Sequence, residues 1–404
     1  MSRHSVSLNP QQTYVLDSIV LGSMEFGEEG LISIQIISSA TILLAIYFHL
    51  RLRFLDSKKT YQNLDFQETD EIRVILPMRN EASNVGRVIS DVVKEILAEH
   101  NCHISLIDSN SSDSTFSMAK QALEDSALPR ARWEVTTATK PGKSRAVNLI
   151  LASTNSDIYV MIDADVAPQV GWLSKLKQGI SIDGVGVVSG IESNSHEKND
   201  PRGNYKSYSD EVRIKQSSID TTPILEGGLI CWRKSALGRE FRLNEDSNAD
   251  DAQIVFRAIR NGYRTTILEN LLFEDLGGQG SNFKRSVRRS QGLCRVLVRN
   301  FDLCLTAPRK EARKSISYAF SVYVLFPWAL FCFFFNPVLA IILYDNLTSW
   351  PYLCLAGLLI MASNRLGRSA IWGASISIIG HILFLIGIRF SFWNRSVRHI
   401  WYLR

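Results

Sequence analysis

The residues best placed to do chemistry are acids. YVMIDADV at 159–166 runs from an apolar stretch into Asp163 and Asp165, spaced by one residue. IDSNSSDST at 107–115 carries Asp108 and Asp113 in a turn-rich stretch. NADDAQIVFRAIRNGYRT at 248–265 sets Asp250 and Asp251 at the start of an amphipathic run with helical period. Mg2+ or Mn2+ takes one or two carboxylates and completes its shell with phosphate oxygens, which suits the 163/165 pair. Such an ion neutralises a diphosphate and improves it as a leaving group. Asp251 could take the proton of an attacking hydroxyl as a general base. Asp108 is the better placed of its pair to accept hydrogen bonds from a base or ribose. Each acid also has a plain structural reading. The 163/165 pair can be a solvated turn, Asp113 or Ser112 can start a helix as its cap, and Asp250 and Asp251 can complement a helix dipole.

Cations complete the inventory. In KPGKSRAVN at 140–148, Lys140, Lys143 and Arg145 could face phosphates as point charges or forks; for Lys140 a solvated loop serves as well. KRSVRRSQGLCR at 284–295 could meet a leaving diphosphate through its arginines or lie on a membrane surface. No GxGxxG follows the first strand and no GxxxxGK[ST] occurs, which discounts dinucleotide-fold and P-loop readings. Six cysteines form no CxxC pair, against thiolate metal sites and a disulfide framework. The net charge of +5 comes without an aromatic-interleaved basic groove, so nucleic acid is not an expected partner.

These residues need elements to bring them together. EIRVILP (71–77), CHISLIDSN (102–110) and DIYVMIDADV (157–166) read as strands; NVGRVISDVVKEILAE (84–99) and STFSMAKQALED (114–125) read as helices. The alternation predicts an α/β domain with a largely parallel sheet. Asn80-Glu81, Asp108–Asp113 and Asp163/Asp165 each follow a strand. In a parallel sheet they share the carboxyl edge, where ligands bind.

Apolar runs flank this block. Residues 31–50 and 369–388 carry no formal charge, and 315–364 carry only Asp345. Uncharged runs of about 20 residues are long enough to cross a bilayer. The expected organisation is an extracytoplasmic segment 1–30, a transmembrane helix 31–50, a linker 51–71, a cytoplasmic catalytic domain 72–283, a basic interfacial segment 284–314, a transmembrane region of three spans at 315–390, and a basic tail 391–404. Arg51, Arg53, Lys58 and Lys59 after the first run, against Glu25, Glu28 and Glu29 before it, place the central domain inside. The tail, basic and rich in Trp and Tyr, favours an even number of C-terminal spans, so the parity stays open. Asn336-Pro337 is a candidate break.

Taken in order, LPMRNEASNVGRVI, IDSNSSDST, KPGKSRAVN, DADV, ADD and RRSQG resemble the motifs of the membrane-bound branch of family 2 inverting glycosyltransferases with the GT-A fold, cellulose- or hyaluronan-synthase-like or lipid-glycosylating. The resemblance covers about residues 72–300. It implies a GT-A-type nucleotide-sugar-binding domain flanked by N- and C-terminal transmembrane helices. It implies a metal-dependent enzyme of the cell membrane, with Mg2+ or Mn2+ on Asp165. Asp108, supported by Asp113, and Asp163 would contact the nucleotide. Asp251 would be the base with Asp250 beside it, and Lys143, Arg288 and Gln291 would hold the donor. A nucleotide sugar, UDP-linked by this reading, would pass its sugar to a lipid or a lipid-linked glycan with inversion. Where processive synthases have Gln-x-x-Arg-Trp, this chain has Arg285 and Arg289 in place of Gln and Trp, which weighs against polymer synthesis. A processive polysaccharide synthase and a non-catalytic membrane scaffold are the alternatives. An intact ADD tilts the acceptor towards a hydroxyl, because an ionised phosphate needs no base. Sugar, base and oligomeric state are not specified by these residues.

Overall fold

The computed structural model describes residues 28–54, 70–193, 201–245, 249–276, 282–343 and 350–390. Most of the N-terminal segment, most of the linker, residues 344–349 and the basic tail lie outside the described residues. The chain opens with α1 (Glu28–Phe54), β1 (Ile72–Met78), α2 (Val85–Ile96), β2 (Cys102–Asp108), α3 (Thr115–Glu124) and β3 (Trp133–Thr137). It continues with α4 (Lys143–Ser153), β4 (Ile158–Ile162), β5 (Val166–Pro168), α5 (Trp172–Ile180), β6 (Val185–Glu192) and α6 (Pro201–Ile219). Then come β7 (Leu229–Arg233), α7 (Lys234–Leu237), α8 (Asp250–Arg260), β8 (Arg264–Asp275) and α9 (Asn282–Arg299). The C-terminal part holds α10 (Leu303–Thr306), α11 (Lys310–Phe320), a π turn (Ser321–Leu325), α12 (Phe326–Leu343), α13 (Trp350–Ser363) and α14 (Arg365–Phe390).

One eight-stranded sheet has the order β3-β2-β1-β4-β7-β6-β8-β5. The expected largely parallel sheet is corrected here: the sheet is mixed. β3, β2, β1 and β4 run parallel, as do β6 and β8, but β7 is antiparallel to both β4 and β6, and β5 is antiparallel to β8. The reason is local. The chain re-enters the sheet at Gly227-Gly228, on the edge where β4 ends, and the Asp163 amide donates to the Gly228 carbonyl at 3.0 Å. A strand starting there can only run back along β4.

Burial on both faces explains the unbroken apolar runs. In β1, Val74 and Leu76 face a core shared with Val85, Val88, Ile89 and Val92 of α2. Ile75 between them faces a second core, with Ala146, Val147 and Ile150 of α4 and Ile254, Val255 and Ile259 of α8. The two-residue period of the strand makes that division. Asp220, 2% exposed, follows α6 and ties it to the start of α11: Arg309 Nε donates to Asp220 Oδ2 at 3.0 Å, and Arg264 Nε donates to the Asp220 carbonyl at 3.0 Å.

Among the described residues, three helical stretches are long and apolar enough to cross a membrane: Glu29–Tyr47, Lys310–Leu343 and Gly367–Leu385; α13 is apolar but shorter. Asn336-Pro337 is not a break, because α12 runs through it. Proline removes the N–H that would bond the carbonyl four residues back, that of Phe333. Gln35 of α1 supplies the missing donor, its Nε2 3.4 Å from the Phe333 carbonyl. Asn336 Nδ2 donates to the Leu31 carbonyl at 2.6 Å and to Gln35 Oε1 at 3.2 Å. Gln35→Leu is expected to loosen α1 from α12 by about 1 kcal/mol. A fall of the thermal unfolding midpoint in detergent would register it, and an unchanged midpoint would rule the bond out as a contributor.

Candidate active site

The site forms where strand ends and helix starts meet. Ala164 packs into the core and leaves Asp163 and Asp165 partly exposed on either side of it. Asp163 follows β4, Lys143 opens α4 and Asp250 opens α8. Lys143 Nζ lies 2.6 Å from Asp163 Oδ1 and 2.8 Å from Asp250 Oδ2, so one cation bridges carboxylates 87 positions apart in the chain. Burial alone would pull the Lys143 ammonium down; the two carboxylates outweigh it and hold it above the usual lysine range. Burial pushes Asp163 up to about 6, with Lys143 opposing and Asp165 and Asp250 adding.

Asp251 sits against Gly227. A Cβ at Gly227 would come within 2.8 Å of Asp251 Oδ2, so this close approach requires glycine. The Ala252 amide donates to Asp251 Oδ1 at 2.8 Å. Burial pushes the Asp251 carboxyl up to about 6 and Asp250 adds to it, while Lys143, the Ala252 amide and Arg289 oppose. That is the range in which a carboxylate is an effective base near neutral pH.

A cavity of about 310 Å³ opens onto these groups. It brings together Lys143, Asp163, Asp250, Asp251 and Arg288 of the sequence-predicted residues. Asp108, Asp113, Asp165 and Gln291 are not in its wall. Asp108 ends β2, is 3% exposed, and accepts from the Ser111 amide at 3.1 Å and from the Ser111 hydroxyl. Asp113 bonds the Thr115 amide at 3.0 Å, the Thr115 hydroxyl and the Ala82 amide at 3.4 Å. Burial works to raise its pKa, but those donors overcome it and hold the carboxyl below the usual range. Asp113 therefore fastens the first turn of α3 to the loop after β1. Gln291 is 4% exposed on α9.

The wall also contains residues that sequence reasoning missed: Arg213, Glu226, Tyr323 and Trp372. Arg213 Nη2 lies 2.8 Å from Glu226 Oε1 and pairs with Asp210 as well. An acid before two glycines in LEGGLICWR was the signal for Glu226. Tyr323 lies in the π turn, a feature common at functional sites. Nothing in its apolar run marks it out.

Among the described residues, no group of three or more His, Cys, Asp or Glu could hold a metal ion by itself. The residues still fit Mg2+ or Mn2+ brought in with a diphosphate: Asp165, with Asp163 nearby, offers the one or two carboxylates such ions take.

Residues 73–241 match the model of Glycosyl transferase family 2. A mannosyltransferase from Pyrobaculum calidifontis, solved in complex with GDP-Man and Mn2+, superposes with a TM-score of 0.73 at 22% identity, over 88% of this chain and 99% of its own. At that identity the likeness is one of fold. Glucosyl-3-phosphoglycerate synthase of Mycolicibacterium smegmatis is 30% identical over 127 residues, 30% of this chain and 40% of that protein. The chain thus spans less than half the length of that curated relative. Residues 73–241 thus resemble a family 2 glycosyltransferase domain, and the fold that carries them is a GT-A-like α/β core.

Proposed function

We propose that the protein is an inverting glycosyltransferase that moves a sugar from a nucleotide-diphosphate sugar to a membrane-associated lipid or lipid-linked glycan. The observation that carries this reading is one continuous cavity. It is lined both by Asp163, Lys143, Asp250 and Asp251 and by Trp372, Gly373, Ile376 and Ser377, which lie in a candidate membrane span. The basic segment 284–314 then lies at the membrane surface, and the catalytic domain is cytoplasmic.

The roles follow from position. Asp108 and Asp163 orient the nucleotide, with Asp113 shaping the loop beside them. Asp165 holds Mg2+ or Mn2+, which supplies charge neutralisation of the departing diphosphate when bound. Lys143, Arg288 and Arg289 face that diphosphate, and Gln291 supports α9. The acceptor oxygen attacks the anomeric carbon, and the bond from that carbon to the diphosphate oxygen breaks with its electron pair. Asp251 receives the hydroxyl proton. A single displacement inverts the anomeric configuration. GDP- and UDP-linked sugars both belong in the test, given the GDP-Man complex of the Pyrobaculum relative.

The test uses the full chain in proteoliposomes with a panel of nucleotide sugars, with and without Mn2+, and mass spectrometry of extracted lipids. A discrete glycolipid with Mn2+-dependent nucleotide release is expected. Polymer would establish the processive reading instead. No turnover of any donor, with Asp165→Ala silent in cells, would leave only the scaffold. Within the active case, Asp165→Ala should weaken donor binding in Mn2+ by at least about tenfold. Equal affinity in a donor titration would remove Asp165 from the metal.

The pH dependence has a definite sign. The base must be ionised, so kcat/KM should fall as pH drops through about 6. Asp250→Asn removes a neighbouring negative charge and should move that limb to lower pH. Arg289→Gln removes a positive one and should move it higher. Shifts in the same direction would exclude Asp251 as the titrating group. Raised folded-state values also mean that ionising Asp163 and Asp251 costs stability. That loss develops as pH rises from the ordinary 3.8 through about 6.

A further inference from the structure

The residues that line the cavity fall into two chemical groups. Four cationic side chains line it, Lys143, Arg213, Arg288 and Arg289, against four carboxylates, Asp163, Glu226, Asp250 and Asp251. The protein's charge there is balanced before any substrate binds. A donor diphosphate with a divalent ion keeps it balanced. A second phosphate, on an acceptor, would enter a half-enclosed site without surplus positive charge. Arg213 is held by Glu226 and Asp210, and Lys143 by Asp163 and Asp250.

Ser209 of α6, Tyr323 of the π turn, and Trp372, Gly373, Ile376 and Ser377 of α14 give the lining an uncharged membrane-side part. Arg213 adjoins it, donating to the Ser209 carbonyl at 3.3 Å, but its charge is met by Asp210 and Glu226. The four α14 residues are spaced to share one helix face, while Ser375 on the other side is exposed. Tyr323 and Ser209 are joined hydroxyl to hydroxyl at 3.0 Å. The helix that follows the π turn is braced. His381 of α14 accepts the Trp328 Nε1–H at its Nδ1, 3.0 Å away. Hydroxyls, an indole and a glycine gap suit a sugar ring or polyol on an alkyl carrier. They supply no cation to neutralise an anion.

We propose that this wall is the acceptor subsite, and that the acceptor presents an uncharged hydroxyl on a membrane-embedded carrier. The inference rests on the glycosyltransferase reading above and narrows its acceptor. The acceptor oxygen bonds the anomeric carbon as the diphosphate leaves with the electron pair of the broken bond, and the proton goes to Asp251. A phosphate acceptor would make that last transfer unnecessary.

The experiment gives the full chain in proteoliposomes, with a nucleotide sugar that it turns over, three probes: dodecyl β-glucoside, dioleoylglycerol and farnesyl phosphate. Transfer to one or both neutral probes and not to farnesyl phosphate is the expected result, and the two neutral probes separate a glycan from a glycerol-type source. In Trp372→Ala the KM for the neutral acceptor should rise about tenfold, and Tyr323→Phe with Ser209→Ala gives a second, milder perturbation of the same wall. Transfer to farnesyl phosphate, or donor turnover with transfer to none of the three, overturns the subsite and leaves the transferase reading standing. No turnover of any nucleotide sugar overturns both.

Discussion

Asp251→Asn is expected to lower kcat by about 10²–10⁴-fold while donor affinity stays within a few-fold. The substitution keeps the shape of the side chain. Its carbonyl oxygen can still accept the Ala252 amide, and its other end still fits against Gly227, where a Cβ would press on it at 2.8 Å. What it cannot do is take a proton. The donor's diphosphate is met by Lys143, Arg288 and Arg289 in this reading, none of which the substitution touches. Stability should not fall. Asp251 ionises only against burial and against Asp250, so removing its charge relieves a cost. Single-turnover rates with Mn2+, set beside a donor titration, separate the outcomes. Near-native rates would show that Asp251 is not the base, as would a loss confined to donor affinity. Gly227→Ala offers an independent approach to the same carboxylate, since it displaces the group without altering its charge.

How far the sequence reveals this arrangement depends on the distance over which each contact is made. Asp163 and Asp108 are legible because each ends an apolar run, and β1, β2 and β4 do lie side by side and parallel. Asp250 and Asp251 are legible as the opening of an amphipathic helix. β7 is not legible. LICWR is a short apolar run buried along its length, with no alternation to distinguish strand from helix and nothing to give its direction. Direction is set by Gly228 meeting Asp163, a contact between residues far apart in the chain. Asn336-Pro337 misleads for the same reason. Proline normally interrupts a helix, and the donor that lets α12 continue is Gln35, 298 positions from its acceptor. The membrane-side wall of the cavity is the extreme case. Tyr323 and Trp372 sit beside apolar residues in the sequence, and only tertiary packing, that of α14 on α9 included, brings them to the cavity of the acids. That packing is close enough that a Cβ at Gly380 would lie 2.6 Å from Ser290 Oγ.

Lys143→Met should be the most damaging single change at the donor end, because Lys143 serves the fold and the chemistry at once. Its removal leaves Asp163 and Asp250 facing each other across a partly desolvated gap. Breaking such a pair from one side costs about 3–5 kcal/mol, and the lower end applies here because the three side chains keep 13–31% of their exposure. The loss should be larger at pH 8 than at pH 5. Asp163 already takes its proton near 6 in the native protein, and without Lys143 that value moves higher, so acid supplies the neutralisation that the ammonium gave. A structural role alone would end there. In the present reading the ammonium also meets the donor diphosphate, so donor KM should rise at least about tenfold. The double variant Lys143→Met/Asp250→Asn separates the two roles, since it removes one of the stranded carboxylates. Its thermal midpoint should recover most of the loss, a coupling of the kind seen between residues in direct contact. Its donor KM should stay high, because nothing has replaced the cation. Recovery of both would make Lys143 a structural bridge and nothing more; recovery of stability alone would identify it as the residue that releases the acids and turns to the phosphates when the donor arrives.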